Sequence, residues 1–295
     1  MESKLLVTGA SGNLGQRVIH HLLHTLGVAP ARIIATSRNS DRLQDLAAQG
    51  VTVRTADFED LSSLARAFEG AQRVLLISTD ALDRPLRRLT QHQNALAAAT
   101  KAGVQHLAYT SMPLPNDSPL LLAPDHAETE KAIVASALPG WTILRNHWYF
   151  ENLWMSVPQA LSTGKWYSAA EQGRVAHIAR DDLALAAATA LLKDEGKNTY
   201  TLSGAEAFTT EEIAAAIREV TGKALEVVHV PVEGLVQGMV AAGLPPPLAA
   251  VFASFDTNTA AGRVAQLTGD FQKLTGKAPL PFAQWLQANK AAFTG

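Results

Sequence analysis

Residues 4–15 read KLLVTGASGNLG: a short apolar run, Leu5-Leu6-Val7, breaks straight into Gly9, Gly12 and Gly15, spaced G-x-x-G-x-x-G. The run has the composition of a strand buried on both faces. Gly9 lets the chain turn where a side chain would collide, Gly12 leaves room for a pyrophosphate, and Gly15 lets the next helix lie close on the sheet. That helix is carried by Leu14, Val18, Ile19, Leu22, Leu23 and Leu26, which recur at helical spacing. Its free N-terminal N–H groups and the positive end of its dipole favour an anion at the turn. A glycine triplet alone is a weak signal. Strand, triplet and amphipathic helix in this order point to a dinucleotide site.

Outward from this motif, short apolar runs alternate with amphipathic segments as far as Arg145. The pattern predicts strands at 5–8, 32–37, 51–54, 73–78, 106–110 and 141–144 and helices at 13–26, 41–49, 60–68, 86–102 and 124–137. Beyond Phe150 the regularity weakens: 151–173 reads as helix and turn, 175–179 as a strand, and 181–192 as a helix. Further strands are predicted at 200–202 and 225–230 and helices at 211–221 and 234–243, before a break at Pro245-Pro246-Pro247 and a helical tail over 282–293. The expected fold is α/β. A Rossmann-type doubly wound parallel sheet takes residues 1–150, with 174–193 returning to it. A smaller C-terminal α+β lobe takes 151–295 and forms a substrate cleft. Ligands in such a sheet lie beyond the carboxyl ends of the strands.

Composition narrows the partners. Hydrophobic residues make up 47% and charged residues 18% of the chain, an ordinary globular balance. The net charge is −2 with no run of Lys or Arg, so neither nucleic acid nor an anionic membrane is an expected partner. Cysteine is absent, which excludes disulfides, thiolate chemistry and cysteine-ligated zinc. No leader pattern precedes the first strand and no apolar run approaches ~18 residues, so a cytoplasmic protein is expected. His20, His21 and His24 have a spacing that could bridge a metal. The same helix must bury Val18, Ile19, Leu22 and Leu23, so the histidines are expected to face solvent and no metal is predicted. Oligomeric state stays open.

Strand two ends Ala35-Thr36-Ser37-Arg38-Asn39, without the acid that would hold a free ribose 2′-hydroxyl. Arg38 presents a planar guanidinium suited to a 2′-phosphate, which favours NADP(H); the other reading pairs it with Asp41. Asp57-Phe58, after strand three, either receives the adenine amino group with the ring lining the base pocket or caps a turn. Ser78-Thr79 should lie along the cofactor, and Tyr109-Thr110-Ser111 should border the nicotinamide. No tyrosine stands four residues before a lysine, the pair that alcohol-forming reductases of this fold use as proton donor. His126 and Glu130 stand in that place, four apart, as an oriented donor or as a surface pair. Without the pair, the expected hydride acceptors are a quinone, an activated alkene or a cationic dye. Trp148, Tyr149, Phe150 and Trp154 suit a flat aromatic acceptor, or else pack the lobes together. Tyr149 and His126 are the candidate proton donors.

TGASGNLG, Arg38, AYTS at 108–111, HAETEK at 126–131 and LRNHWYFEN at 144–152 together resemble the NmrA-like group of atypical short-chain dehydrogenase/reductases, and most of all its quinone-reducing and triphenylmethane-reducing members. The resemblance covers essentially the whole chain. It implies an NADPH-binding Rossmann domain and direct hydride transfer to a quinone-like acceptor, without metal or flavin. It also implies that Gly9, Ser11, Gly12, Asn13, Leu14, Arg38, Ser78 and Thr79 hold the nucleotide, with Asn146 on the nicotinamide side. A dinucleotide sensor without catalysis is the alternative within the same group. His147 departs from the quinone reductases, which carry glycine there, and it puts an imidazole in the cleft beside Trp148 and Tyr149.

Overall fold

The computed structural model describes residues 2–294. Among these residues nine strands form two sheets: β1 Leu5–Val7, β2 Ile33–Ser37, β3 Thr52–Thr55, β4 Arg73–Leu76, β5 His106–Ser111, β6 Gly140–Asn146, β7 Lys165–Ser168, β8 Lys197–Leu202 and β9 Glu226–His229. The large sheet is parallel throughout, in the order β3-β2-β1-β4-β5-β6-β8, with β1 at the point where the order reverses. Burial on both faces explains why its strands are continuous apolar runs. Leu5 and Val7 point into one core layer, under helices Asn13–His20 and Arg180–Lys193. Leu6 points into the other, under Leu61–Phe68, Arg87–Lys101 and Ala123–Ala135. β8 and the alanine-rich helix Arg180–Lys193 therefore belong to the large sheet although they follow residue 150. A separate core gathers Phe150, Val157, Ile213, Phe282, Trp285 and their neighbours. It lies beside the small parallel pair β7-β9.

Several segments differ from expectation. Residues 175–179 are not a strand. They run extended through single bridges, Ile178 to Tyr149 and Val175 to Phe208, and are apolar because they are enclosed on all sides. β7 lies inside the segment read as helix and turn, and the helix before it ends at Gly164, whose φ of 73° suits a left-handed cap. Helix Val232–Ala241 stops before the three prolines, as expected, but they also open the next one: Pro245 is the N-cap and Pro246 the first residue of Pro246–Ala260, where a missing N–H costs nothing. The first helix stops at His20 and closes with a π turn over His21–Thr25. His21 is buried against Asp181 rather than facing solvent. Among the described residues no helix is long and apolar enough to cross a membrane.

Candidate active site

The glycine turn is built as the motif requires. Gly9 has φ +59°, and the Gly12 N–H returns to the Gly9 carbonyl at 2.9 Å. A Cβ on Gly15 would lie 2.3 Å from the Gly9 oxygen and 2.8 Å from Ala10 Cα, so only glycine lets the helix sit this close to the strand. Gly12 is the N-cap and offers no side chain, and the first turn holds no acid, so its N–H groups stay available to an anion. Asn13 is exposed at the turn, while Leu14 is buried and can offer a ligand only its backbone. Ser11 Oγ and Ser37 Oγ lie 2.8 Å apart, tying the turn to the end of β2.

Arg38 follows β2 and is exposed, with no hydrogen bond or ion pair among the described residues, Asp41 included. Arg38 lines a cavity of about 500 Å³ with Arg54, Thr55, Asp57, Asp60, Ser63, Arg66 and Ala67. Arg54 is already committed to the carbonyls of Ala67 and Glu69, at 2.8 and 2.6 Å. Asp57 accepts from the Glu59 N–H in a tight turn, and Asp60 is the residue that caps helix Leu61–Phe68. Phe58 does not line this cavity; from the turn after β3 its ring is buried in the core with Leu64 and Phe68.

Beyond β4 and β5 the backbone is pinned by side chains: Ile77 N–H to Thr8 Oγ1 at 2.9 Å, Ser78 N–H to Thr110 Oγ1 at 2.9 Å, and Thr79 N–H to His92 Nε2 at 3.1 Å. Tyr109 does not border this edge. It is fully buried beneath helices Arg87–Lys101 and Ala123–Ala135 and touches His92 and His126. His126 and Glu130 are not a surface pair either, and they have separate partners. His126 has both ring nitrogens occupied, by Tyr109 and Arg88 at 2.8 Å each, and so is not placed to donate a proton in the cleft. Glu130 accepts from Ser111 Oγ at 2.5 Å and pairs with Arg145 at 2.7 Å. These partners come from other elements, which the local spacing could not reveal.

Past β6 the aromatic residues separate. Trp148 meets Phe255 of helix Pro246–Ala260 edge to face, at 5.0 Å. Tyr149 lies under the Arg180 guanidinium, 5.1 Å from its ring centroid. Phe150 belongs to the small core, its ring tilted against Phe282 and Trp285, and Trp154 stacks on Trp285. Burial pushes the Tyr149 phenol up, with Arg180 and a hydrogen bond from Asn146 opposing it. His147 is buried and held neutral: burial pulls it down to about 4, against the Val264 backbone. The buried Asn146 Oδ1 and Thr79 Oγ1 have no hydrogen-bond partner among the described residues. Buried polar atoms are seldom left so.

The NmrA-like family matches residues 1–277. The chain belongs to that family. Quinone oxidoreductase 2 of Escherichia coli K12 is 37% identical over 95% of this chain and 96% of its own. The NADPH-dependent quinone oxidoreductase of Escherichia coli, solved with NADPH, superposes at a TM-score of 0.90 with 36% identity, over 96% of this chain and 98% of its own. Triphenylmethane reductase of a Citrobacter species, solved with NADP(H), superposes at 0.87 with 37% identity, over 98% and 99%. Within this NmrA-like fold the residues present fit a dinucleotide: a crowded glycine cradle, an unpaired arginine after β2, and two unpartnered buried oxygens on Thr79 and Asn146 beyond β4 and β6. Sequence reasoning missed Arg180 over Tyr149 and the pair Arg88 and His92 behind Thr79. The signal for the pair was two polar residues four apart on a helix face that otherwise buries Ala95 and Ala99.

Proposed function

We propose that this chain is an NADPH-dependent reductase that passes hydride directly to a quinone or a similarly conjugated aromatic acceptor. The observation that carries this reading is the full-length match, at 37% identity, to a quinone oxidoreductase. The unpaired Arg38 supports NADPH over NADH, and the unspent N–H groups of Asn13, Leu14 and Gly15 suit a pyrophosphate. NADPH, when bound, would supply the hydride. Ser11, Asn13, Ser78 and Thr79 would line the nucleotide, Asp57 would receive the adenine amino group, and Asn146 would face the nicotinamide side. Trp148 and His147 would wall the acceptor. The buried Tyr149 phenol, kept protonated, would donate a hydrogen bond to its oxygen. A reduced quinone is a far weaker base than an alkoxide, so water can meet much of the proton demand and placement carries most of the catalysis. The test is NADPH absorbance at 340 nm with a panel of quinones, a cationic dye and an aliphatic ketone. Turnover of the conjugated acceptors and little of the ketone is expected. NADPH binding without turnover of any acceptor would instead favour a dinucleotide sensor.

A further inference from the structure

Arg88 and His92 lie one turn apart on helix Arg87–Lys101, and both reach the backbone of the same residue. His92 Nε2 accepts the Thr79 N–H at 3.1 Å, and Arg88 Nε donates to the Thr79 carbonyl at 2.6 Å. Both side chains are buried, Arg88 at 4% and His92 at 0% exposure. We infer that Arg88 and His92 are positioning residues that clamp Thr79 against the cofactor, with Tyr109, His126 and Thr129 fixing the direction of both.

The protons in this cluster can be assigned from the obligatory donors alone. A backbone N–H occupies His92 Nε2, so the neutral ring carries its proton on Nδ1 and gives it to Thr129 Oγ1 at 3.0 Å. The Arg88 guanidinium can only donate, so His126 Nε2 accepts at 2.8 Å and His126 Nδ1–H donates to the Tyr109 phenol at 2.8 Å. Thr129 in turn donates to the Asp125 carbonyl at 2.6 Å, which leaves its lone pairs to accept from His92. Each ring therefore has one tautomer and one orientation. Burial, with Arg88 beside it, pulls His92 down to about 3, and burial lowers His126 as well, so neither charges near neutrality and the cluster serves as a scaffold instead of a proton relay. Asp125 is the carboxylate nearest the guanidinium, 3.9 Å from Nη1. A segment after β4 with both backbone groups tied down presents the unpartnered Thr79 Oγ1 in one place, the preorganisation that a site acting by placement needs.

The inference rests on the cofactor reading above, and the experiment separates the two. NADPH affinity, kcat, acceptor KM and thermal stability are measured for wild type, His92→Phe, His92→Gln and Tyr109→Phe. His92→Phe keeps a ring but removes the acceptor for the Thr79 N–H, and should weaken NADPH binding at least 10-fold while acceptor KM moves less than twofold. His92→Gln restores an acceptor and should recover most of the affinity. Tyr109→Phe, nearly isosteric, should weaken NADPH binding about threefold, and it carries the test alone if His92→Phe does not fold. Wild-type protein that binds no NADPH overturns the cofactor reading and the clamp together. Wild type that binds, with unchanged affinity in the folded His92→Phe or Tyr109→Phe variant, overturns the clamp alone. A loss in His92→Phe that His92→Gln does not recover also overturns it, since it would mean packing.

Discussion

A Cβ on Gly15 would collide with the backbone of Gly9 and Ala10, whereas one on Gly12 would meet only the Gly9 oxygen, at 3.2 Å, from an extended backbone open to any residue. Two glycines of one motif therefore fail differently. Gly15→Ala should destabilise the fold by on the order of 1–3 kcal/mol, as overpacking against a backbone that cannot retreat does; denaturation midpoints check this. Gly12→Val should keep its melting temperature within a few degrees and lose NADPH binding, because its side chain would stand where the phosphates pass. Arg38 is the complementary case, a side chain with nothing to hold within the chain. Its truncation should leave stability unchanged and cost NADPH about 1.5–3 kcal/mol of binding through a lost charge-assisted contact, with NADH affected far less. Calorimetry on Arg38→Ala with both cofactors measures the difference, and equal affinity of the wild type for both would sink the assignment.

The N-terminus of helix Arg180–Lys193 carries Asp181 and Asp182 side by side with opposite fates. Asp181 is held down to about 2, chiefly by a hydrogen bond from His21 and then by Arg17, with which it pairs at 2.8 Å. Asp182 accepts the Leu280 N–H at 2.7 Å, but burial pushes it up to about 6, with Asp181 and Glu151 adding repulsion. The signs follow from proton counts. Below its unfolded value of 3.8 Asp182 is neutral in both states; between about 4 and 6 the folded state holds more protons, so rising pH through that window removes stability. Asp181 works the other way, contributing above 3.8 and losing its contribution as pH falls towards about 2. Asp182→Asn keeps an acceptor for Leu280 and removes the ionisation. It should therefore stabilise the protein by about 1 kcal/mol at neutral pH, allowing for partial exposure, and change little near pH 4. Urea denaturation at both pH values tests this; equal effects at the two would sink it.

Across the whole molecule, legibility followed the range of the determining contacts. β1 with its turn, and the strands up to β6, were readable because burial on two faces and helical periodicity are written locally. β7 was not, since Lys165-Trp166-Tyr167-Ser168 is a half-exposed strand with a single partner, β9, some sixty residues away. Segment 175–179 misled for the reverse reason: enclosure makes it apolar without giving it a hydrogen-bond ladder. At the candidate site the glycines and Arg38 could be read, being functions of one turn and one strand end. The burial of His126 and the separation of Trp148 from Tyr149 depend on helices that arrive from elsewhere. That separation sets the last expectation. Trp148 connects the end of β6 to Phe255 on the smaller region, while Tyr149 is held from the sheet side by Arg180, so the two can fail independently. If the reaction runs by placement between these two sides, Trp148→Ala should lower kcat/KM for an aromatic acceptor 10-fold or more with NADPH binding little changed, because misplacing an acceptor by ~1 Å can cost on the order of 100-fold. Tyr149→Phe should cost less, since water can protonate a weakly basic product. Steady-state kinetics of both variants with a quinone and with a ketone of similar size decide the matter: robust ketone reduction that Tyr149→Phe abolishes would mean that a general acid, and not placement, carries the chemistry.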